Sequence, residues 1–228
     1  MPALAIPAPP VPTTIPTTDG RAFPVRRVYC VGRNYAAHAR EMGHDPDREP
    51  PFFFQKNPDD LDPSGRFPYP AMSRDVHHEV ELLVALGEGG RDIPAERAQS
   101  HVWGYAVALD MTRRDLQGEA KAAGRPWEVG KAFERSAPVG PLRPASETGP
   151  LERGRIALAV NGAPRQEGDL AQMIWTVPEA IAFLSRHFAL AAGDVILSGT
   201  PAGVGPVARG DVMTASVEGL GEIVVTVT

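Results

Sequence analysis

Two glutamates separated by a single residue, Glu79 and Glu81, lie inside the stretch RDVHHEVELLVALG at residues 74–87. Their surroundings read as a strand: Val76, Val80, Leu82, Val84 and Leu86 recur with a period of two, and Gly87 ends the run. Side chains alternate faces along a strand. His78, Val80, Leu82, Val84 and Leu86 therefore share one face, and His77, Glu79, Glu81, Leu83 and Ala85 the other. Carboxylates at i and i+2 stand roughly 7 Å apart, and like charges repel there unless solvent, a proton or a cation intervenes. A solvated face near the end of a half-buried strand accommodates the pair without any function. A divalent cation accommodates it too, provided a third oxygen ligand arrives from elsewhere.

Asp110 is the natural third carboxylate. VWGYAVALD at 102–110 reads as a second buried strand, and TRRDLQGEAKAAG follows as a helix, with Thr112 and Asp115 spaced as a capping box and Gly124 as its stop. Asp110 thus stands where a strand hands over to a helix, a place where functional groups gather on a rigid scaffold and where plain turn or cap residues also occur. A second pair, His38 and Glu41, falls at i and i+3 in NYAAHAREMG, read as a short helix from an Asn34 cap to Gly43. That spacing puts imidazole and carboxylate on one helix face, as an acid–base pair or as an ordinary surface pair.

Other elements must position these residues. VRRVYCVG reads as a strand ending at Gly32, FFFQK as another, and NPDDLDPSGRFPYP as a long irregular loop feeding the Glu-x-Glu strand. GRIALAVNGAPRQEG reads as a hairpin turning at Asn161–Gly162. TVPEAIAFLSRHFAL is a helix opened by Thr176 and Glu179 with Pro178 in its first turn. GDVILSGTPAGVGPV is a strand running into a Gly-rich loop that matches neither nucleotide-binding glycine pattern, though Thr200 within it suits an anion. GEIVVTVT closes the chain as a strand. Strands outnumber helices, no repeat or domain-scale linker interrupts them, and one mixed, β-rich domain over residues 21–228 is expected behind a proline-rich arm at 1–20.

Composition narrows the partners. The 228 residues are 43% hydrophobic with a formal net charge of -5, which suits a globular core and a small-molecule partner and not a nucleic-acid binder. A single cysteine, Cys30, makes no internal disulfide and reads as a small buried strand residue. The first twenty residues lack a basic n-region, and no segment approaches the ~20 apolar residues of a membrane span, so a cytoplasmic protein with no membrane partner is expected.

Taken in order, VGRNYAAHAREMG, HHEVEL, ALDMTRRDLQ, GKAF, VNGAPRQEG, MIW and GDVILSGTPAGVGPV resemble the fumarylacetoacetate hydrolase family, and within it the short acylpyruvate and fumarylpyruvate hydrolase branch, from about Val25 to the C-terminus. The resemblance implies an α+β, β-rich mixed β-roll assembled as a homodimer. It implies that Glu79, Glu81 and Asp110 bind Mg2+ or Mn2+, that His38 and Glu41 act as a base and its orienting partner, and that Lys131 of GKAF neutralises developing negative charge. Arg114, Gln117 and Thr200 match substrate-contacting positions, and Arg33 and Tyr35 flank the dyad at the mouth. Gly32 and Gly43 would hinge the dyad helix as a lid. The implied activity is metal-dependent hydrolysis of the C–C bond of a 3-acylpyruvate, foremost fumarylpyruvate to fumarate and pyruvate. Relatives sharing such ligands decarboxylate or tautomerise oxaloacetate, or isomerise unsaturated 2-oxo acids. A metal- or oxo-acid-binding protein without catalysis is the remaining class.

Overall fold

A computed structural model describes residues 13–36 and 49–228. His38, Glu41, the rest of the expected dyad helix and the first twelve residues of the arm lie outside the described residues. What the arm does show is strand: Thr14–Pro16 pairs antiparallel with Ala22–Pro24, and Ile15 is fully buried.

The centre is a mixed six-stranded sheet in the order 143–144, 102–109, 80–86, 194–197, 27–32, 52–56. Only the pair Asp194–Leu197 with Arg27–Gly32 is parallel within its long strands. A five-stranded sheet, ordered 163–169, 155–160, 212–217, 221–227, 66–67, packs across one face. The strand 80–86 is buried along its whole length, because it lies inside the sheet with both faces covered, where a half-buried strand is expected from the alternation alone. The alternation itself holds. Val80, Leu82, Val84 and Leu86 enter the core shared with Ile156, Leu158, Met213 and Val225, while Leu83 and Ala85 enter a second core with Ile15, Cys30, Val195 and Leu197. Together these elements form a β-rich α+β fold, as the resemblance implied.

Local signals explain the connections. Asn161 and Gly162 both take positive φ (52° and 76°), the conformation a two-residue hairpin turn needs. The helix Val177–His187 begins with Glu179 accepting from the Thr176 N–H and hydroxyl at 3.0 and 2.9 Å, with Pro178 in its first turn. The other expected capping box does not form. Thr112 belongs to a two-residue strand, the helix runs from Arg114 to Ala122, and Asp115 accepts from Ser73 Oγ and the Arg74 N–H at 2.7 and 2.9 Å. Tertiary partners in the 73–75 loop outcompete the local cap. Gly124 does end the helix, at φ 62°. Among the described residues no helix is long and apolar enough to cross a membrane.

Candidate active site

The strand that carries the glutamates is broken at Glu79. Val76–His78 pairs with Thr112–Arg113 and Gly205–Pro206 in a small separate sheet, and Val80–Leu86 continues in the central one. The chain therefore changes sheets at Glu79, which is a corner and not a strand interior. Val80 lies opposite Leu109, and the Asp110 N–H donates to the Glu79 carbonyl at 2.8 Å. Register thus brings Asp110, at the end of its strand, beside Glu79 and Glu81. One carboxylate oxygen from each of the three lies within 4.8 Å of the others, and all three side chains are buried.

Three cations surround this cluster and pair with Glu79 and Asp110. Lys131 Nζ donates to Glu79 Oε2 at 2.8 Å, Asp110 Oδ2 at 2.6 Å and Thr112 Oγ1 at 2.8 Å. Arg114 binds Glu79 Oε1 through Nη2 and Gln117 Oε1 through Nη1, the latter at 2.6 Å. Lys56, which the sequence reading did not single out, is fully buried with Nζ 2.9 Å from Asp110 Oδ1, and it donates to Ser136 Oγ at 2.9 Å and to the Lys131 carbonyl. Its only sequence signal is a lysine ending an otherwise aromatic strand, FFFQK. The Lys131 turn, Glu128–Lys131, packs so closely on the 114–122 helix that a Cβ at Gly130 would stand 2.8 Å from the Gln117 Cβ, which explains the glycine in VGKAF.

Electrostatics distinguish the carboxylates. Burial, then the neighbouring Asp110 and Glu79 charges, push Glu81 well above the ordinary glutamate range, outweighing the Lys131 charge and the N–H bond from Gly199 at 2.8 Å. Burial opposes the Lys131 charge, but Asp110 and Glu79 outweigh it and its pKa is raised. Asp110 Oδ1 is buried beside Lys56 at an angle that makes no hydrogen bond, and no other donor among the described residues reaches it. A buried cluster of three carboxylates, one oxygen of which accepts no hydrogen bond, fits a hard divalent cation.

Arg33, Phe54, Lys121, Trp127 and Thr200 complete one cleft with Glu79, Glu81, Asp110, Arg114, Gln117 and Lys131, enclosing about 500 Å³ including its open mouth. Arg33 holds a positive φ of 58°. Trp127 meets Phe52 edge to face and Phe54 at a tilt, with ring centroids 4.9 and 5.9 Å away. Lys121 and Trp127 are further lining residues the sequence reading did not single out. Tyr35 packs instead into the main core, with its hydroxyl buried and the phenol pushed up by burial. Thr200 gives its hydroxyl proton to the Val80 carbonyl at 2.8 Å, and the Gly199 N–H is engaged by Glu81, so in this structure the loop braces the carboxylate strand. Asn34 donates to the Ser198 and Trp175 carbonyls and accepts from the Trp175 N–H, tying this loop to the segment that leads to His38.

Comparison with known proteins places this geometry. Residues 27–228 match the model of the fumarylacetoacetate (FAA) hydrolase C-terminal family. The crystal structure of fumarylpyruvate hydrolase from Pseudomonas aeruginosa in complex with Mn2+ and pyruvate superposes with a TM-score of 0.95 at 54% identity, covering 97% of each chain. Oxaloacetate tautomerase YcgM of Escherichia coli is 44% identical over 198 residues, 86% of this chain and 90% of that one. Human mitochondrial oxaloacetate tautomerase FAHD1 is 40% identical over 195 residues, 86% of this chain and 88% of that one.

Proposed function

The chain belongs to the fumarylacetoacetate hydrolase family, and from that premise we propose that it is a divalent-metal-dependent hydrolase cleaving the C3–C4 bond of 3-acylpyruvates, with fumarylpyruvate as its foremost substrate. The observation that supports an oxo-acid substrate is the charge count in the cleft. Once all three carboxylates are ionised, as metal binding requires, Glu79, Glu81 and Asp110 balance Lys56, Lys131 and Arg114, which pair with Asp110 and Glu79. A bound dication then leaves an excess of two positive charges, which a 2-oxo acid offsets as its carboxylate and its enolate. Likeness to the fumarylpyruvate hydrolase, higher than to either tautomerase above, supports the acylpyruvate class.

Glu79, Glu81 and Asp110 would hold Mg2+ or Mn2+, which when bound supplies Lewis-acid stabilisation of negative charge on the oxo acid. Lys131, fixed between Glu79 and Asp110, adds a cation beside that charge. Arg114 and Gln117 orient the pyruvate end, and Thr200 with its loop walls the other side. His38, oriented by Glu41, takes a proton from the water that adds to C4. The C3–C4 electron pair then leaves with pyruvate as its enolate, C3 takes up a proton, and C4 becomes the new carboxylate of fumarate. At the mouth, Arg33 and Lys121 face the distal carboxylate, and Phe54 and Trp127 cover the planar acyl chain. A homodimer is the expected assembly.

Oxaloacetate tautomerisation is a second reading, favoured by the 44% identity to YcgM. The test follows enol absorbance and pyruvate together, with Mn2+ or Mg2+, on fumarylpyruvate, acetylpyruvate and oxaloacetate. Stoichiometric pyruvate from fumarylpyruvate, abolished in Glu79→Gln/Glu81→Gln, supports hydrolysis. Enol loss from oxaloacetate without pyruvate, and no cleavage of either diketo acid, overturns it in favour of the tautomerase. No turnover of any of them overturns both readings and moves the chain to a binding protein or to an enzyme of unsaturated 2-oxo acids.

A further inference from the structure

Gln166 is a buried amide outside the catalytic set, 1% exposed and the only fully buried residue of the strand Ala163–Asp169. Its burial follows from an irregularity in the hairpin. Leu158 pairs with Gln166 but Ala159 pairs with Pro164, so Arg165 is an extra residue on that strand. A bulge of this kind re-aims a side chain, and here it turns Gln166 inward between two segments of the site. The Gly-rich loop closes over the bulge, and a Cβ at Gly203 would stand 2.1 Å from the Arg165 carbonyl.

All four hydrogen-bonding positions of the Gln166 amide are used. Oε1 accepts from the Val80 N–H at 3.1 Å and faces His78 Nδ1 at 2.9 Å. Nε2 donates to Thr200 Oγ1 at 2.8 Å and to the Pro201 carbonyl at 2.9 Å. The partners determine the direction of every bond. The Val80 N–H only donates and the Pro201 carbonyl only accepts, which orients the amide; Thr200, accepting from Nε2, then gives its proton to the Val80 carbonyl at 2.8 Å. His78 must donate through Nδ1, so a neutral ring keeps its lone pair on Nε2, which is buried without a partner among the described residues. One side chain thus clamps the backbone between Glu79 and Glu81 to the loop whose Gly199 N–H holds Glu81 Oε2.

We propose that Gln166 is a positioning residue for the metal-binding carboxylates, acting through Val80 and the 199–201 loop. The inference rests on the metal-site reading above. Outer partners that orient ligating carboxylates typically account for 10–100-fold in metal affinity. Gln166→Met keeps the length of the side chain, adds no charge beside the carboxylates and removes both N–H donors and the acceptor, and it should weaken Mn2+ binding by roughly that factor, measured by titration calorimetry and by electron paramagnetic resonance of free Mn2+. Activity at saturating Mn2+ should return most of the way, and Arg165→Ala, which alters only the exposed side chain of the bulge, should bind like the wild type. Equal Mn2+ affinity in a folded Gln166→Met protein overturns the proposal. Should that variant not fold, nitrogen-15 chemical shifts of His78 in the wild-type protein decide. Protonated Nδ1 and bare Nε2 support the wiring, and the opposite tautomer overturns it. A wild-type protein that binds no Mn2+ refutes the metal reading itself, a result distinct from either.

Discussion

Lys131→Met removes a charge while keeping most of the side-chain volume, and its consequences are calculable. Lys131 Nζ bridges two buried carboxylates, Glu79 at 2.8 Å and Asp110 at 2.6 Å, with its own side chain 4% exposed. Removing one partner of a buried ion pair strands the other charge, at a cost of about 3–5 kcal/mol. For a chain of this length each kcal/mol moves Tm by about 2–4 °C, so metal-free Lys131→Met should melt roughly 6–20 °C below wild type. A dication replaces the missing charge. Saturating Mn2+ should therefore raise the melting temperature of the variant by more than it raises that of the wild type. Differential scanning calorimetry of both proteins, with chelator and then with Mn2+, reads the whole effect. A metal-free loss below about 1 kcal/mol, or equal metal-induced shifts, would refute the claim that Lys131 and the cation address the same carboxylates. Even with metal restored, kcat should remain about 10²–10³-fold low, the usual range when a charge-stabilising donor is lost.

The remaining predictions concern different parts of the molecule. His38→Ala should lower kcat for C–C cleavage by about 10²–10⁴-fold with Mn2+ affinity unchanged by calorimetry; a variant that retains its rate removes His38 as the base. Asp60, 2% exposed, is pushed up to about 6 chiefly by burial. Its folded carboxyl holds a proton that the unfolded chain releases, so it adds stability below about pH 4 that disappears as the pH rises through about 6. Asp60→Asn should flatten the urea-melt stability slope across that window by on the order of 1–3 kcal/mol, and identical slopes would contradict this. Cys30 is fully buried and its thiol is pushed well up by burial, so a thiol reagent should label it only at the global unfolding rate; rapid native labelling would contradict the packing.

How legible the site was depends on the reach of each contact. The period-two alternation around Glu79 and Glu81 and the placement of Asp110 at a strand end are local patterns, and the structure keeps both. The Asn161–Gly162 turn and the Thr176–Glu179 cap are also local and form as read. Thr112 and Asp115 had the spacing of a cap but answer to Lys131 and to the 73–75 loop, partners that no window of sequence displays. Lys56 reaches Asp110 across 54 positions and Gln166 reaches Val80 across 86, so their roles arise from sheet register and a one-residue bulge. The break at Glu79, where one apparent strand divides between two sheets, was hidden by the unbroken alternation on either side.

The central claim is that this cleft adds water across a carbon–carbon bond, and oxygen-18 tracing tests it most directly. Mn2+-loaded protein turning over fumarylpyruvate in 18O-labelled water should place one label in each fumarate, in the carboxylate made from C4, since carboxylates do not exchange on the assay timescale. Loss of the enol signal with no labelled fumarate would contradict hydrolysis and assign the cleft to enol–keto chemistry alone.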